Sequence, residues 1–223
     1  MNLTRRTFCE GTAALALSSL FLGSASSLMA LIRPALAQER TPSLVELLAP
    51  PALGDRQLGP DNAPVTIIEY ASLTCPHCAH FENTTFPELK KKYIDTGKVR
   101  YIFREFALNP LDAGAIMLAR CIDKDKYFPF VETLFAKQDI WVVQNPIEPL
   151  FGLAKQAGFT KETFDACLKN QKMLDAIETE RNRASEKFGV NSTPTFFING
   201  KIARGAMEFD DLEKLIKPYL NEK

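Results

Sequence analysis

Apolar positions along this chain change their period several times, and each change marks an element. Residues 65–71 (VTIIEYA) form a run of β-branched and apolar side chains interrupted once, by Glu69, which predicts a buried strand. From 78 to 93 the spacing turns helical, with Pro87 as a kink or break, and Gly97 ends the segment. Residues 99–103 (VRYIF) predict a second strand. The segments 111–122, 127–136, 147–157, 161–168 and 172–188 each carry apolar residues at helical spacing, punctuated by Asn145-Pro146, Gly158 and Asn170. Thr160 with Thr163 and Phe164 predicts a helix start. Strand character returns at 195–198 (TFFI). Asn199-Gly200 then supplies two turn positions that accept positive φ, and 201–204 returns as the second arm of a hairpin. Asp210 with Glu213 reads as a capping box for a last amphipathic helix ending near Leu220.

The order is strand, helix, strand, a block of helices, strand, hairpin, strand, helix. A Cys-Pro-His-Cys stands at the first strand-to-helix junction, residues 75–78. This order predicts an α/β protein: a thioredoxin-like fold with an inserted helical domain. Residues 61–106 and 189–223 make the thioredoxin-like part and 107–188 the insertion. Residues 38–60, rich in Pro and Leu with a short helix near 43–48, form an N-terminal extension too short to be a domain.

The first 37 residues read as an export signal. Arg5-Arg6 lies between Thr4 and Phe8, and a weakly apolar stretch over 13–32 is diluted by Gly23 and several serines. Ala35-Leu36-Ala37 is a small-x-small cleavage site. The pattern fits twin-arginine export, with general secretion as the alternative route. An uncleaved anchor is the alternative fate, since the stretch nearly suffices to cross a bilayer. Cleavage after about Ala37 removes Cys9 and leaves four of the five cysteines in an oxidising compartment, the periplasm. Charge excludes one class of partner. Lys plus Arg is 27 and Asp plus Glu is 27, so no basic excess exists to hold nucleic acid.

The chemistry centres on cysteine. Cys75 sits where a helix begins, so its sulfur faces free N–H groups and the positive end of the helix dipole, which favour thiolate over thiol. Pro76 fits the first turn, where a missing N–H costs little. His77, when protonated, adds a positive charge or a hydrogen bond to the same sulfur. Cys78 lies one turn deeper. A stabilised Cys75 thiolate is a good leaving group and stabilises the reduced state, which suits a donor of oxidising equivalents. The alternatives are an inert bridge or a metal site built from Cys75, Cys78 and His80; His80 otherwise reads as a surface histidine.

Thr193-Pro194 immediately precedes the TFFI strand. A proline there is accommodated by a cis bond or by a plain trans strand start; beside a C-x-x-C the cis form is expected, with Thr193 backbone groups free to pair with a substrate segment. Glu69 is read as a buried carboxylate beneath the dithiol that exchanges the proton of Cys78, with a pKa raised by burial and Arg100 as a counter-charge. The other reading of Glu69 is a solvated strand edge. Cys121 and Cys167, in the helical block, are expected to form a structural disulfide rather than two free thiols. The aromatic stretch Tyr127-Phe128-Pro129-Phe130, Phe135 and Trp141 read as core.

Cys75-Pro76-His77-Cys78, Glu69 six residues upstream, Thr193-Pro194 and the helical insertion together resemble the DsbA-like family of periplasmic thiol:disulfide oxidoreductases, over about residues 60–221. The resemblance implies that Cys75 to Cys78 are the active site, Glu69 the buried acid and Thr193-Pro194 the cis-proline loop. Residues 63–70 and the pair Cys121 and Cys167 resemble the branch found in alphaproteobacteria. That branch is implied to donate disulfides to reduced exported proteins and to be reoxidised by a DsbB-like membrane quinone reductase. Two departures stand out. Thr193 replaces the Val of the best-known oxidases, and isomerases of the wider family also carry Thr there, which leaves oxidase and isomerase both open. Ala107 stands where many relatives have Pro. The expectation is a monomeric dithiol oxidase needing no metal or organic cofactor. The alternatives are an isomerase or reductase of the same fold, or an exported metal-binding chaperone.

Overall fold

The computed structural model describes residues 42–220, so the expected export signal and its cleavage site lie outside the described residues. The chain begins with α1 (Leu44–Leu48) and β1 (Arg56–Leu58), then runs through β2 (Val65–Ala71), α2 (Pro76–Thr84) and α3 (Phe86–Leu89). One π-helical turn (Lys90–Ile94) leads to β3 (Val99–Glu105). The helical block is α4 (Pro110–Cys121), a 3₁₀ turn (Lys124–Lys126), α5 (Tyr127–Ala136), α6 (Gln138–Trp141), α7 (Ile147–Gln156), α8 (Lys161–Leu168) and α9 (Gln171–Phe188). The hairpin β4 (Thr195–Ile198) and β5 (Lys201–Arg204) precedes α10 (Phe209–Leu220).

The strands form one sheet in the order β1-β3-β2-β4-β5. β2 and β3 are parallel, in register from Val65 opposite Val99 to Ala71 opposite Glu105. The other three pairings are antiparallel. β2 is therefore central, and all its residues except Thr66 are buried. That explains its near-continuous apolar run, as expected of a strand covered on both faces. Side chains alternate between the faces. Ile67, Tyr101, Phe103, Phe196 and Ile198 join the main core with the helices of the insertion and α10. Ile68, Tyr70, Ile102 and Phe197 join a smaller core with Leu47 of α1 and with Ala184 and Phe188 of α9.

Local chemistry explains the turns. Asn199 takes φ 45° and Gly200 φ 85° between β4 and β5. Asn199 tolerates this because its amide is committed locally: Oδ1 accepts from Thr66 N–H at 2.7 Å and Nδ2 donates to the Pro64 carbonyl at 3.1 Å. Thr160 caps α8 through a reciprocal bond with Thr163. The proline in residues 86–89 breaks the first long helix: α2 ends at its cap Thr85, whose hydroxyl donates to the Met207 carbonyl at 2.7 Å, and Pro87 lies in the first turn of α3.

The described part of the 38–60 extension is tied to the sheet. β1 pairs with β3, and Leu47 is fully buried. Arg104, also fully buried, donates to Asp55 Oδ1 at 2.8 Å, to the Leu47 carbonyl at 2.7 Å and to the Tyr70 hydroxyl at 2.9 Å. In the insertion, a disulfide joins Cys121 at the end of α4 to Cys167 in α8. Tyr127, Phe130, Phe135 and Trp141 are buried as expected of core, whereas Phe128 is half-buried and Pro129 exposed; the Trp141 indole donates to the Leu134 carbonyl at 2.8 Å.

Two expectations are corrected. Asp210 and Glu213 do not form a capping box: α10 begins at Phe209, and the N–H groups of Asp211 and Leu212 bond the Glu208 carbonyl. Phe209 is buried and stacks on Tyr93, which draws the helix start forward, while Glu213 accepts from the Tyr93 hydroxyl at 2.7 Å. The second strand extends two residues beyond Phe103, because Arg104 and Glu105 are buried among their own partners rather than left to solvent.

Glu105 is paired with Arg120 through two bonds of 2.6 Å and accepts from the Tyr127 hydroxyl. Burial opposes its charge, but Arg120 prevails and holds its pKa below the usual carboxylate value. Removing one member leaves a buried, uncompensated charge. Arg120→Ala is expected to destabilise the protein by about 3–5 kcal/mol in urea unfolding, and Glu105→Gln combined with Arg120→Met to recover part of that loss. An unchanged midpoint in Arg120→Ala would refute the assignment.

Candidate active site

β2 ends at Ala71 and the chain turns through Ser72, Leu73 and Thr74 to Cys75, whose N–H bonds the Ser72 carbonyl at 3.2 Å. Cys75 is the N-cap of α2, with extended backbone (φ −83°, ψ 122°), and Pro76 occupies the first turn. Its sulfur lies 3.4 Å from the Thr193 carbonyl, and the Thr193-Pro194 peptide is cis. The loop before β4 thus meets the start of α2, as the resemblance implies. Both thiols are free. Cys75 is 7% exposed and Cys78 fully buried.

The two sulfurs are driven apart electrostatically. The Cys75 pKa falls from the ordinary thiol value to about 5. The largest cause is a hydrogen bond from the Cys78 thiol; the Thr193 side chain and the N–H groups of Cys78 and His77 add to it, against the cost of burial. Cys78 moves far upward, first because it is buried, then because its proton is engaged by Cys75 and because Glu69 and Cys75 bring negative charge near. His77 therefore reaches the sulfur through its backbone. Its imidazole is exposed and makes no hydrogen bond among the described residues.

Glu69 is fully buried on the central strand, not on a solvated edge. Its pKa is raised to about 8, chiefly by burial and further by the Cys75 charge, against a hydrogen bond from Tyr101. Arg100 is not its counter-charge. Neighbouring residues of a strand point to opposite faces. Arg100 turns to Gln57, at 2.6 and 3.0 Å, and to Asp61 at 3.4 Å, while Tyr101 shares the Glu69 face. Glu69 Oε1 has no hydrogen-bond partner among the described residues.

Two residues of this site were not anticipated. The Tyr101 hydroxyl bonds Glu69 Oε2 and also lies 3.1 Å from Glu82 Oε1. Glu82 is 6% exposed, and its pKa is raised, first by burial and then by Glu69. A hydroxyl carries one hydrogen. With both carboxyls in bonding range, at least one of them must be protonated to supply the second. Both residues left a signal in the sequence. Glu82 is four residues beyond Cys78 and so on the same face of α2, and Tyr101 is a hydroxyl inside an apolar strand.

His80 is an exposed side chain 3.2 Å from Glu208. No group of three or more His, Cys, Asp or Glu side chains among the described residues is placed to hold a metal ion, so Cys75, Cys78 and His80 do not form a ligand set. The arrangement offers one sulfur stable as an anion near the surface, one sulfur that keeps its proton below it, and a protonated carboxyl beside the second.

The thioredoxin family model matches residues 52–218. A putative protein-disulfide oxidoreductase of Rickettsia bellii is 38% identical over 148 residues, which are 66% of this chain and 57% of that protein. The chain thus spans less than two thirds of that relative's length. Among solved structures, Wolbachia pipientis alpha-DsbA1 is similar with a TM-score of 0.72 and 34% identity, over 78% of this chain and 94% of that one. Oxidised BdbD of Bacillus subtilis is similar with a TM-score of 0.66 and 26% identity, over 78% of this chain and 97% of that one. The family model spans most of the chain, and with these relatives it shows that the chain belongs to the DsbA-like family of the thioredoxin-like fold.

Proposed function

We propose that this protein is an exported thiol:disulfide oxidoreductase that donates a Cys75–Cys78 disulfide to reduced proteins. The observation that carries this reading is the opposite displacement of the two thiols. In the oxidised enzyme a substrate thiolate attacks Cys75 Sγ, forming a mixed disulfide, and the Cys75–Cys78 bond breaks. The Cys78 sulfur leaves with the electron pair and, being unable to stay ionised in its buried place, takes a proton. Glu69, protonated near neutral pH, supplies it and is replenished from solvent through its neighbours. A second substrate thiolate then attacks the substrate's own sulfur in the mixed disulfide and expels Cys75 as a stable thiolate. Two electrons pass from the substrate to the enzyme. Of the two substrate protons, one is balanced at Cys78 and one is released. Reoxidation runs the same path backwards, with Glu69 accepting the Cys78 proton.

These steps need no metal or organic cofactor. Thr193 presents backbone groups beside Cys75, where an extended substrate segment can pair with them. The segment 42–60 is engaged by β3 and Arg104, which supports a monomer over a dimeric isomerase built on that segment. Export to the periplasm is supported by the signal-like first 37 residues and by the Cys121–Cys167 disulfide, a bond that persists in oxidising compartments. No helix of the described residues is long and apolar enough to cross a membrane. The proposed reoxidant is a DsbB-like membrane quinone reductase.

Equilibration against glutathione tests the direction of electron flow. An oxidising midpoint, abolished in Cys75→Ala, is the expected result, and a strongly reducing midpoint would sink the donor assignment. Cys78→Ser, first charged as a mixed disulfide with glutathione, should exchange onto a protein that carries a single thiol, releasing glutathione, and persist as a covalent complex visible on a non-reducing gel, because neither a second substrate thiol nor Cys78 is present to resolve it.

Linkage gives a second expectation. A thiol whose folded pKa is depressed stabilises the folded state above the unfolded value and loses that contribution as pH falls through the folded value. Stability of the reduced form relative to the oxidised form should therefore be greatest above the ordinary thiol value of 9.0 and decline steadily as pH falls from there to about 5. A difference that is independent of pH across that range would contradict the thiolate assignment. Glu69→Gln should slow mixed-disulfide formation by about 10- to 100-fold while leaving the glutathione-independent thiolate signal of Cys75 in place; an unchanged rate would remove Glu69 from the mechanism.

A further inference from the structure

The loop that delivers Cys75 is held from outside the thioredoxin-like part. Leu73 is fully buried, so its N–H and C=O both need partners. Neither finds one on the backbone among the described residues. The N–H donates to Asp112 Oδ1 at 2.9 Å, and the carbonyl accepts from Gln138 Nε2 at 2.8 Å. The same Gln138 nitrogen donates to the Cys75 carbonyl at 3.1 Å. Thr74 Oγ1 accepts from Asn109 Nδ2 at 3.0 Å. Asn109, Asp112 and Gln138 all belong to the helical insertion: the cap of α4, its first turn, and the start of α6.

Asp112 is the firmest of these groups. It is fully buried, and its second oxygen accepts from Leu108 N–H at 2.9 Å, so one carboxylate bridges the loop before α4 and the loop before α2. We propose that Asp112 and Gln138 are positioning residues for Cys75, and that the insertion fixes the turn so that the sulfur faces the N–H groups of His77 and Cys78. The proposal rests on Cys75 as the reactive sulfur. Burial raises the Asp112 pKa to about 6, opposed by bonds from Ser72, Leu108 and Leu73 and assisted by the Cys75 charge. The group is thus ionised near neutral pH, and both N–H donors meet an anion.

Asp112 acts on Cys75 in two opposed ways. Its charge disfavours a nearby thiolate, and its hydrogen bonds hold the geometry that favours one. Geometry should prevail, because the leading stabilisers of the thiolate are hydrogen bonds from Cys78, Thr193 and the helix start. An Asn at 112 can accept from only one of the two N–H groups and sets an amide donor against the other.

The test uses the full reduced chain and three readouts: thiolate absorbance against pH, the glutathione equilibrium constant and the thermal midpoint. In Asp112→Asn and in Gln138→Leu, the Cys75 acid constant is expected to fall about tenfold and the glutathione equilibrium to move with it. Both variants melting lower with Cys75 unchanged would make these residues structural only and overturn the proposal. A Cys75 acid constant that rises in Asp112→Asn, with Gln138→Leu unchanged, would assign Asp112 a purely electrostatic role and overturn it too. If Asp112→Asn does not fold, Gln138→Leu decides alone, since it leaves the carboxylate in place. An ordinary thiol titration in the parent chain would instead defeat the donor reading itself, and the positioning role with it.

Discussion

Two sulfurs three residues apart share a hydrogen, and the rest of the site follows from which of them keeps it. Cys78 donates to Cys75 and can do so only while it remains a thiol. Its burial below the start of α2 makes ionisation costly, so the proton stays. Cys75, at the helix cap with N–H groups and the Thr193 side chain around it, is the sulfur that carries charge. The sheet supplies the asymmetry. β4 is buried throughout and β2 at every residue but Thr66, and Phe81 of α2 packs on Phe196 of β4 with ring centroids 4.7 Å apart, which closes the inner side of α2 to water. The outer side keeps Pro76 and His77 exposed. A structure that opened the core beneath α2 would let both thiols ionise at similar pH, and the difference between the two sulfurs would shrink.

Much of this was legible in the sequence because it depends on local patterns. β2, β4, β5, α5 and α8 lie where the apolar spacing predicted them, since a strand covered on both faces and an amphipathic helix each impose a period on the residues that form them. Position also sufficed for Cys75, because a cysteine before Pro at a strand-to-helix junction is a cap wherever the fold is built. What escaped notice depends on pairing across the sheet. β1 has no apolar pattern, being three half-buried residues that exist as a strand only because β3 offers an open edge. α6 and the 3₁₀ turn are too short to show a period. Opposite charge alone pairs Arg100 with Glu69. The register places Arg100 opposite Thr66 and puts Tyr101 on the Glu69 face. Alternation along VRYIF contained that answer, although opposite charge suggested another.

The insertion shows how an addition to a fold can serve a site it does not contain. At the end of β2 the ladder stops, and a buried segment leaving a sheet needs new partners for its backbone. Phe106 N–H still bonds the Ala71 carbonyl, but two residues later the partners are side chains of α4 and α6. Those helices are in turn fixed by the Cys121–Cys167 bridge and by the Trp141 indole, neither of which approaches the reactive sulfurs in sequence. The stability of the helical block and the placement of Cys75 are thus joined through a few hydrogen bonds, without a shared catalytic residue.

The buried acids show the same division of labour on one sheet. Glu69 on β2 and Glu105 on β3 are both buried carboxyls inside apolar strands. Glu105 receives Arg120 in two hydrogen bonds and a hydroxyl from Tyr127, so it is held as an anion below the usual carboxylate pKa. Glu69 receives only a hydroxyl, from Tyr101, and shares it with Glu82; its pKa rises to about 8. The chemical difference is one guanidinium. An arginine beside Glu69 would lower its pKa, leave it ionised at neutral pH and add a permanent charge below Cys78. It would then have no proton to give to a departing sulfur. With an arginine on Glu105, where a fixed charge helps hold the chain together, and only a tyrosine on Glu69, the two buried carboxyls of one sheet are set to opposite protonation states near neutral pH. Strand register brings Tyr101 of β3 to the face of Glu69, while α4 and α5 of the insertion bring Arg120 and Tyr127 to Glu105.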